Sequence, residues 1–589
     1  MKKVILLALM MPCLASGQNT EYPGFRGDFS LIVETRAGSE VKGPKPGDVV
    51  ITEIMADPSP VVSLPAKEYI EIHNRSLIPY NLKGWMLSDG NARCYFPETI
   101  IPPGDYFIVC QIQDTNLFRS YGKTMGVKSF PALTDAGKLL YITDQERNLV
   151  HGVEYSPEWY GDVMKDGGGW SLEMIDENYP FFQEGNWKAS VSDAGGTPGR
   201  KNSVSRPNPD ELFTGFANVF PIDDHTLSIR FQESVSIPAE CKECLTIEGN
   251  SVDSVFASDP LLRAYTVILA APLKTGEIYI MSAGTEVTDF AGNPMQQDEF
   301  GFGIPEEVRP GDVSFNELLF NPFPGEPDYI EFYNRSPRIV NAPALLLVSV
   351  SSLTGDTSSV VRVSEEDRCM IPGSYYVITT DRESVISRFP SSIPENIFRV
   401  KSLPSMPDDK GHLILFSRSL VKIDEVSYSG NMHFPLLAAE EGVALEKVMT
   451  NAPSEDIDQW HSASEASGWG TPGAPNSVMA EFSEAKDVVA FSSARITPDN
   501  DGYEDLLVIN LKLEGIGNVI SVTIFDETGS FVKKLTDNML AGQGASIVWD
   551  GTAADERLVD TGIYVFLITL FDDHGKTRSW KKVCTVIRR

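Results

Sequence analysis

The sequence predicts an all-β protein made of several β-sandwich domains in series. Apolar and polar residues alternate with a period of two, and turn residues interrupt this alternation about every eight to twelve positions. The composition agrees, because 47 Gly and 39 Pro accompany 30 Phe and 19 Tyr, a mixture typical of short strands joined by tight turns. At roughly 100 to 200 residues per domain, the 589 residues suggest about three to five domains.

The first residues have the features of an export signal. Residues 1–3 are positively charged, residues 4–14 are apolar but too few to span a bilayer, and residues 15–17 are small enough for cleavage. We therefore expect a signal peptide over residues 1–17 and a linker over residues 18–45. No later segment reaches the 18 uninterrupted apolar residues of a membrane span, so the sequence predicts an exported protein without a transmembrane helix.

The charge of the chain disfavours one broad class of partner. Lys and Arg number 49 against 82 Asp and Glu, which gives a net charge of −33. A molecule this acidic repels a phosphate backbone and an anionic lipid surface. Nucleic acid is therefore not an expected partner.

A long internal repeat organises the chain. The same short motifs occur twice in the same order, which is the signature of a duplicated domain. The paired motifs are Gly47-Asp48-Val49 with Gly311-Asp312-Val313, Glu68-Tyr69-Ile70-Glu71 with Asp328-Tyr329-Ile330-Glu331, Ser171-Leu172-Glu173 with Ala444-Leu445-Glu446, and Gly196-Thr197-Pro198-Gly199 with Gly470-Thr471-Pro472-Gly473.

Three blocks of the first copy resemble the lamin tail domain, an Ig-like β-sandwich of nuclear lamins and of many secreted bacterial proteins. The blocks are Ile51-Thr52-Glu53-Ile54-Met55-Ala56-Asp57-Pro58, Glu68-Tyr69-Ile70-Glu71-Ile72-His73-Asn74 and Asn81-Leu82-Lys83-Gly84-Trp85-Met86-Leu87-Ser88-Asp89. The resemblance implies tandem Ig-like β-sandwich domains, with lamin tail domains over residues 46–204 and 307–478. The second copy departs from the pattern at residues 341–347, which replace the Gly-Trp block of the first.

Two further domains are implied by other resemblances. Residues 205–306 end in Asp289-Phe290-Ala291-Gly292-Asn293 and are similar to bacterial Ig-like domains whose last strands are joined by such a turn. Residues 479–589 resemble the FlgD-like Ig domain and the C-terminal modules of secreted Bacteroidetes proteins. Some of those modules direct export through the type IX system, which implies outer-membrane export machinery as a partner and a location outside the cell or at its outer surface.

An acidic turn in the last domain is a candidate metal site. Asp499, Asp501 and Asp505 surround Gly502 and offer the oxygen ligands that Ca²⁺ prefers. An EF-hand register fails, because it would place Val508 at the bidentate position. The alternative is a turn whose side chains bond only to their own backbone.

The repeated acids of the strands are a second candidate, for catalysis or for a cation. They are Glu53, Glu68 and Glu71 in the first copy, and Glu317, Asp328 and Glu331 in the second. Paired carboxyl groups can act as acid and base. We expect them instead to face solvent on the wet side of a sandwich or to bond to loop backbones.

Other residues give no catalytic constellation. The segment from Gly468 to Gly473 satisfies GxGxxG, but Pro472 and the absence of a strand-to-helix transition indicate a turn. Cys241 and Cys244 favour a local disulfide over a redox or zinc site, and Cys94 and Cys110 are candidates for a contact between neighbouring strands. The tryptophans are expected in the cores, with a sugar-stacking platform as the alternative.

The sequence therefore predicts a non-catalytic exported protein for adhesion, binding or a structural role at the bacterial cell surface, with a surface protein or a glycan as partner. Two alternatives remain open. One is an accessory part of a secreted hydrolase or nuclease system, which would need a separate enzyme. The other is carbohydrate binding, which requires exposed aromatic side chains.

Overall fold

The computed structural model describes residues 43–588, except for residues 184, 239–240, 242, 352–353, 359, 435–436, 438, 480–487, 514–517, 542–543 and 572–575. The expected signal peptide and almost all of the expected linker lie outside this part of the chain. The described residues are almost entirely β, which confirms the predicted fold class. The α-helices among them are short: α1 (Thr115–Phe118) and α2 (Arg382–Arg388).

Single turns of 3-10 helix connect some of the strands. They span Ile112–Asp114, Pro157–Tyr160, Ala342–Ala344, Pro394–Asn396, Gly430–Met432, Ile457–Gln459 and Glu465–Ser467. The chain divides into two compact units. The first contains the described residues up to Leu273 together with Tyr279–Gly301, and the second contains Lys274–Ile278 and the described residues from Phe302 onwards.

The first repeat lies in the first unit and packs two sheets face to face. A six-stranded sheet has the order β12-β11-β1-β2-β7-β8, and a four-stranded sheet has the order β10-β9-β4-β5. Its strands are β1 (Val49–Met55), β2 (Tyr69–Asn74), β3 (Tyr80–Asn81), β4 (Met86–Ser88), β5 (Arg93–Tyr95), β6 (Ile100–Ile101), β7 (Tyr106–Gln111), β8 (Thr124–Val127), β9 (Lys138–Thr143), β10 (Leu149–Tyr155), β11 (Leu172–Met174) and β12 (Trp187–Ala189).

The segment after the first repeat forms smaller sheets. A five-stranded sheet has the order β17-β18-β14-β13-β21, and a three-stranded sheet has the order β16-β19-β22. The strands are β13 (Phe213–Pro221), β14 (Thr226–Phe231), β15 (Val235–Ser236), β16 (Leu245–Ile247), β17 (Val252–Ala257), β18 (Ala264–Leu269), β19 (Tyr279–Ala283), β20 (Thr288–Asp289), β21 (Met295–Gln297) and β22 (Glu299–Phe302).

The second repeat lies in the second unit. Its sheets have the orders β30-β29-β24-β23-β33-β34 and β27-β26-β31-β32. The strands are β23 (Val313–Leu319), β24 (Tyr329–Asn334), β25 (Val340–Asn341), β26 (Leu345–Ser349), β27 (Val361–Arg362), β28 (Cys369–Met370), β29 (Tyr375–Thr379), β30 (Ile397–Arg399), β31 (Lys410–Ser417), β32 (Lys422–Ser429), β33 (Leu445–Lys447) and β34 (Trp460–Ser462).

The two repeats share their strand pairing in detail. In the first, Glu53 of β1 pairs with Glu71 of β2 after a bulge, and in the second Glu317 of β23 pairs with Glu331 of β24 after a bulge at the same place. Where the second copy departs in sequence, β26 still occupies the position in its four-stranded sheet that β4 occupies in the first. Most residues of β26 are apolar and buried, Leu345 among them.

The last segment forms a sandwich of a three-stranded and a five-stranded sheet. Their orders are β35-β37-β40 and β36-β42-β41-β38-β39. Trp549 and Phe566 lie in the core between them, with ring centroids 5.2 Å apart. The strands are β35 (Val489–Phe491), β36 (Arg495–Ile496), β37 (Leu507–Lys512), β38 (Asn518–Asp526), β39 (Phe531–Ala541), β40 (Gly544–Trp549), β41 (Gly562–Phe571) and β42 (Thr577–Val586).

Candidate functional site

Three glutamates of the first repeat meet in the middle of its six-stranded sheet. Glu53 pairs in register with Glu71 on one side and with Glu173 on the other. All three residues are 0% exposed. The sequence had singled out Glu53 and Glu71 as candidates, whereas Glu173 was noted only as part of a repeated motif.

These carboxyl groups bind the Gly-Thr-Pro-Gly segment that follows β12. Glu53 Oε1 accepts hydrogen bonds from the backbone N–H of Thr197 (2.8 Å) and from the hydroxyl of Tyr69 (2.7 Å). Glu71 Oε2 accepts from the backbone N–H of Gly199 (2.6 Å), and Glu173 Oε1 accepts from the hydroxyl of Thr197 (2.8 Å). Glu53 and Glu71 therefore hold against the sheet a segment that lies more than a hundred residues later in the sequence.

The second repeat builds the same cluster from Glu317, Glu331 and Glu446, each 0% exposed. Glu317 Oε1 accepts from the backbone N–H of Thr471 (2.9 Å), and Glu446 Oε1 accepts from the hydroxyl of Thr471 (2.8 Å). Glu331 Oε2 accepts from the backbone N–H of Gly473 (2.6 Å). In each repeat, three buried glutamates thus bind the Gly-Thr-Pro-Gly segment. We call this segment, residues 196–199 in the first repeat and 470–473 in the second, the strap.

One glycine of the strap is required for this close approach. A Cβ atom at Gly196 would lie 2.5 Å from Glu53 Oε1 and 2.8 Å from the hydroxyl oxygen of Tyr69. A side chain there would displace the carboxyl group from the strap. The signature therefore begins with glycine for a steric reason.

The expectation that these acids face solvent is wrong for Glu53, Glu71, Glu317 and Glu331. The expected bonds to loop backbones are present, and they explain the burial, because the strap covers the face that would otherwise be wet. β1 and β23 are buried along their whole length, as strands covered on both faces are.

The other two acids of the candidate set, Glu68 and Asp328, lie outside the clusters. Glu68 Oε2 accepts a hydrogen bond from the backbone N–H of Leu133 (2.9 Å). Burial, and then the charge of Asp408, raises the pKa of Asp328 to about 7. Neither residue contributes to the binding of the strap.

Burial beside other carboxyl groups favours protonation of the clusters. Loss of hydration, followed by repulsion from Glu173, raises the pKa of Glu53 to about 7. The same causes, with Glu446 as the neighbour, raise the pKa of Glu317 to about 8, and burial raises the pKa of Glu446 to about 7. Burial raises the pKa of Glu71 well above its ordinary value. Each cluster therefore holds protons at pH values where exposed glutamates are charged.

The acidic turn of the last segment is brought together as the sequence predicted. One carboxylate oxygen from each of Asp499, Asp501 and Asp505 lies within 4.8 Å of the others. Asp505 also organises the turn, because its Oδ1 accepts from the backbone N–H of Asn500 (2.6 Å) and its Oδ2 from that of Gly502 (2.7 Å). Burial raises the pKa of Asp505 to about 6. The donor set has the chemistry of a Ca²⁺ site, and binding of the ion stays a prediction.

Two segments of the chain match family models. Residues 42–157 match the lamin tail domain. Residues 490–583 match the type IX secretion signal domain. The chain carries a type IX secretion signal. It is therefore exported to the cell surface or the extracellular space, and the type IX machinery is its implied partner in export. Among the described residues, none of the helices is long and apolar enough to cross a membrane.

Comparisons with whole proteins add little beyond these domains. No curated protein matches the chain. Among solved structures, it is similar to the surface layer protein SbsC, domains 1–6, at 11% identity over 64% of this chain and 55% of that one, with a TM-score of 0.15. It is also similar to dimeric latent PorU from Porphyromonas gingivalis, at 11% identity over 76% and 40%, with a TM-score of 0.15. Scores this low carry no functional argument.

The segment of the chain between the two repeats contains a further acidic cluster. The sequence alone did not indicate it. Asp210, Glu233 and Asp289 each place a carboxylate oxygen within 4.8 Å of the others. Burial, followed by the charge of Asp289, raises the pKa of Asp210 to about 6, and burial followed by the charge of Asp210 raises that of Glu233 to about 8. Asp289 begins the turn that ends at Asn293, where its Oδ1 accepts from the backbone N–H of Asn293 (2.7 Å).

The cysteines follow the prediction in part. Cys241 and Cys244 form a disulfide, which confirms the local bridge. Cys94 and Cys110 are buried free thiols in different sheets, β5 and β7, so the expected contact between neighbouring strands is absent. Burial raises the pKa of the Cys94 thiol to about 12, which keeps it unreactive.

The tryptophans divide into two groups. Four lie in the cores and are at most 4% exposed: Trp85, Trp187, Trp460 and Trp549. The other four are only partly buried: Trp159, Trp170, Trp469 and Trp580. The GxGxxG-like segment that contains Trp469 forms turns and a loop, as expected, and part of it is the strap of the second repeat.

Proposed function

We propose that this chain is a non-catalytic surface protein whose exported β-sandwich domains serve adhesion, binding or a structural role outside the cell. The observation that carries the proposal is the type IX secretion signal domain at residues 490–583, which takes the preceding domains to the cell surface or beyond it. A sandwich fold by itself implies no activity.

The geometry of the paired carboxyl groups supports a role without catalysis. A glycosidase needs two carboxyl groups that flank a bound substrate. Here Glu53, Glu71 and Glu173 are 0% exposed and accept hydrogen bonds from the protein's own strap, and the second repeat repeats this arrangement. Their function is to hold the strap against the sheet of their own repeat.

The proposed order of domains follows the repeat. Two lamin tail domains, over residues 46–204 and 307–478, flank a bacterial Ig-like domain over residues 205–306, and a FlgD-like Ig domain over residues 479–589 carries the export signal. The recurrence of one strand order in the two repeats supports this arrangement, as does the separate two-sheet core of the last segment.

The test is surface exposure of the full chain in a host with a type IX system. We expect an epitope placed in the exposed loop at Met164 to react with antibody on intact cells. When residues 479–589 are removed, or the export machinery is lost, the protein should stay on the inner side of the outer membrane and not reach the surface. Surface labelling that persists without residues 479–589 would contradict the proposal, as would hydrolytic activity in the purified full chain.

A further inference from the structure

The outer face of the five-stranded sheet in the last segment carries a row of apolar side chains. Phe525 of β38 pairs in register with Phe531 of β39 on one side and with Val565 of β41 on the other, and Val565 pairs with Val583 of β42. Side chains at directly opposed positions of neighbouring strands lie side by side on the same face of a sheet. The four residues therefore form one continuous surface, which we call the apolar row.

The apolar row lies on the side of the sheet that faces away from the core. The residues that alternate with it along the strands line the core of the domain: Ile524, Tyr564, Phe566 and Cys584. Since successive side chains of a strand point to opposite faces, the row points outwards. Phe531 is 58% exposed and Val583 is 57% exposed. The outer face of an antiparallel sheet is usually polar, and adjoining exposed apolar side chains are typical of a binding surface.

The outer face of the other sheet in this domain is covered. Val508 of β37 and Val548 of β40 pair in register on the three-stranded sheet and pack with Val448 of the second repeat. Val508 is only 1% exposed, and Gln459 of the second repeat donates through Nε2 to the carbonyl of Ser546 (3.2 Å). A partner that approaches a sheet face of the secretion signal domain therefore meets the face with the apolar row.

The strand that contributes Val583 to this face is basic, although the chain as a whole is strongly acidic. Residues 576–589, which contain β42, hold six Lys and Arg residues and no Asp or Glu, whereas the chain has a net charge of −33. Lys581 is exposed and lies two residues before Val583, hence on the same face. A surface of this kind fits a partner whose contact region is apolar and bordered by carboxylates.

The charge also distinguishes between occupants of this face. A second copy of the chain would bring together two molecules of net charge −33 and two basic copies of β42, which is unfavourable. An anionic lipid surface would attract β42 but repel the rest of the chain. A protein with a local acidic border meets neither objection. The match of residues 490–583 to the type IX secretion signal domain implies such a protein partner, the export machinery.

We propose that the apolar row, together with Lys581, is the surface through which the type IX export machinery binds this chain. The protein of the machinery that makes the contact has an apolar patch bordered by acidic residues. This proposal rests on the proposed function, because it identifies the surface with which the same secretion signal domain binds its partner.

The test is export of the full chain, with the epitope at Met164, in a host with a type IX system. The double variant Val565→Thr/Val583→Thr keeps two β-branched side chains, which suit a strand, and removes their apolar character. We expect it to lower surface labelling by about tenfold, because the loss of central apolar contacts weakens an interface strongly. The protein should then accumulate on the inner side of the outer membrane. Lys581→Glu should lower the labelling several-fold, because it reverses the charge beside the row.

Folding of the variants is measured separately, on the purified full chains. The double variant should melt within about two degrees of the unchanged chain, since substitutions on an exposed face usually change stability little. A fall of several degrees would show that Val565 and Val583 are packed within the fold, and it would overturn the proposal.

Two control variants match these changes in chemistry. Val163→Thr changes a valine of the first repeat that is 86% exposed. Lys512→Glu reverses the charge of an exposed lysine on the three-stranded sheet of the secretion signal domain. Both controls should be exported like the unchanged chain, and losses equal to those of the double variant would overturn the proposal.

A binding measurement distinguishes the export machinery from a lipid surface. The purified full chain is mixed with liposomes of phosphatidylcholine and phosphatidylglycerol, and with outer-membrane fragments, open to both sides, from hosts with and without the type IX machinery. We expect the unchanged chain to bind only the fragments that contain the machinery, and the double variant to lose this binding. Binding to the anionic liposomes that Lys581→Glu abolishes would assign the face to a lipid surface and overturn the proposal.

The export assay also separates this proposal from the proposed function. If the unchanged chain does not reach the surface, the proposed function fails and this proposal fails with it. If the unchanged chain reaches the surface and the double variant does so equally, only this proposal is overturned.

Discussion

Glu53 and Glu173 face each other in register on neighbouring strands, and both are completely buried. Like charges at directly opposed positions of a sheet repel each other, and burial removes the hydration that would offset the repulsion. Glu317 and Glu446 repeat the relationship in the second copy. Protons bound to these clusters therefore stabilise both folded repeats.

The first prediction is that the stability of the full chain falls between pH 5 and pH 7. The folded-state pKa of Glu53 is about 7 and that of Glu317 about 8, above the ordinary value of 4.5, so the folded protein binds more protons than the unfolded chain in this range. Stability then decreases as pH rises, by about 1.4 kcal/mol per pH unit for each proton taken up on folding. Urea unfolding at several pH values measures the slope.

Buried bases oppose this trend only in part. The pKa of His151 and that of His433 are lowered to about 4 by burial, so each adds stability as pH rises from about 4 to 6.5. Burial lowers the pKa of Lys447 to about 7, so its contribution increases with pH only above that value. The raised carboxyl groups outnumber these bases between pH 5 and pH 7. A stability that rises with pH throughout that range would contradict the prediction.

The second prediction is that Glu53→Gln makes the pH slope less steep, by about 1 kcal/mol per pH unit. The amide oxygen can keep the bonds from Tyr69 and Thr197, while the titrating group is removed. Glu98→Gln is the control, because the side chain of Glu98 is 68% exposed and its replacement should leave the slope unchanged. Equal slopes for Glu53→Gln and the unchanged chain would show that Glu53 takes up no proton on folding.

The sequence was sufficient for the fold class and for the repeat, because alternation and repeated motifs are local properties of the chain. It also showed that the motif of Gly196 to Gly199 recurs at Gly470 to Gly473, but it did not predict that this segment binds the buried acids. The burial of Glu53 could not be predicted from alternation. That pattern assumes one wet face, and the covering strap arrives from more than a hundred residues later in the chain.

The two acidic clusters also differ in how far the sequence predicts them. The acids of the turn at Asp499, Asp501 and Asp505 are close in sequence, so their proximity follows from the turn itself. Asp210, Glu233 and Asp289 come from three separate parts of the chain, and only folding brings them together.

The third prediction concerns the disulfide between Cys241 and Cys244. Replacing both residues with alanine should lower the free energy of unfolding by about 2 kcal/mol, the loop-entropy contribution of a bridge that closes so short a loop. Urea unfolding of the variant, compared with the unchanged chain under reducing and oxidising conditions, measures the loss. The variant should be insensitive to reductant. A larger loss in the variant than in the reduced chain would mean that the packing of Cys244, which is 0% exposed, matters more than the bridge.

The fourth prediction is that Ca²⁺ stabilises the secretion signal domain through the acidic turn. Calcium at a hundred times its dissociation constant should add about 2.7 kcal/mol of stability, seen as a rise in melting temperature by calorimetry of the full chain. Asp501→Ala should abolish this rise and change the calcium-free protein little, because its side-chain bond to the N–H of Tyr503 lies on an exposed turn. Mg²⁺ should have a smaller effect, since it demands a more regular shell of ligands.

Asp505→Ala distinguishes the binding of a cation from the stabilisation of the turn. Its carboxylate accepts hydrogen bonds from the backbone N–H groups of Asp499, Asn500 and Gly502, so its loss should destabilise the domain with or without calcium. Asp210→Asn is the matched control in the other acidic cluster and should leave the calcium response intact. If calcium fails to raise the melting temperature of the unchanged chain, while Asp505→Ala still lowers it, the acids only shape the turn. If Asp210→Asn removes the response instead, the cation binds at the cluster of Asp210, Glu233 and Asp289 rather than in the secretion signal domain.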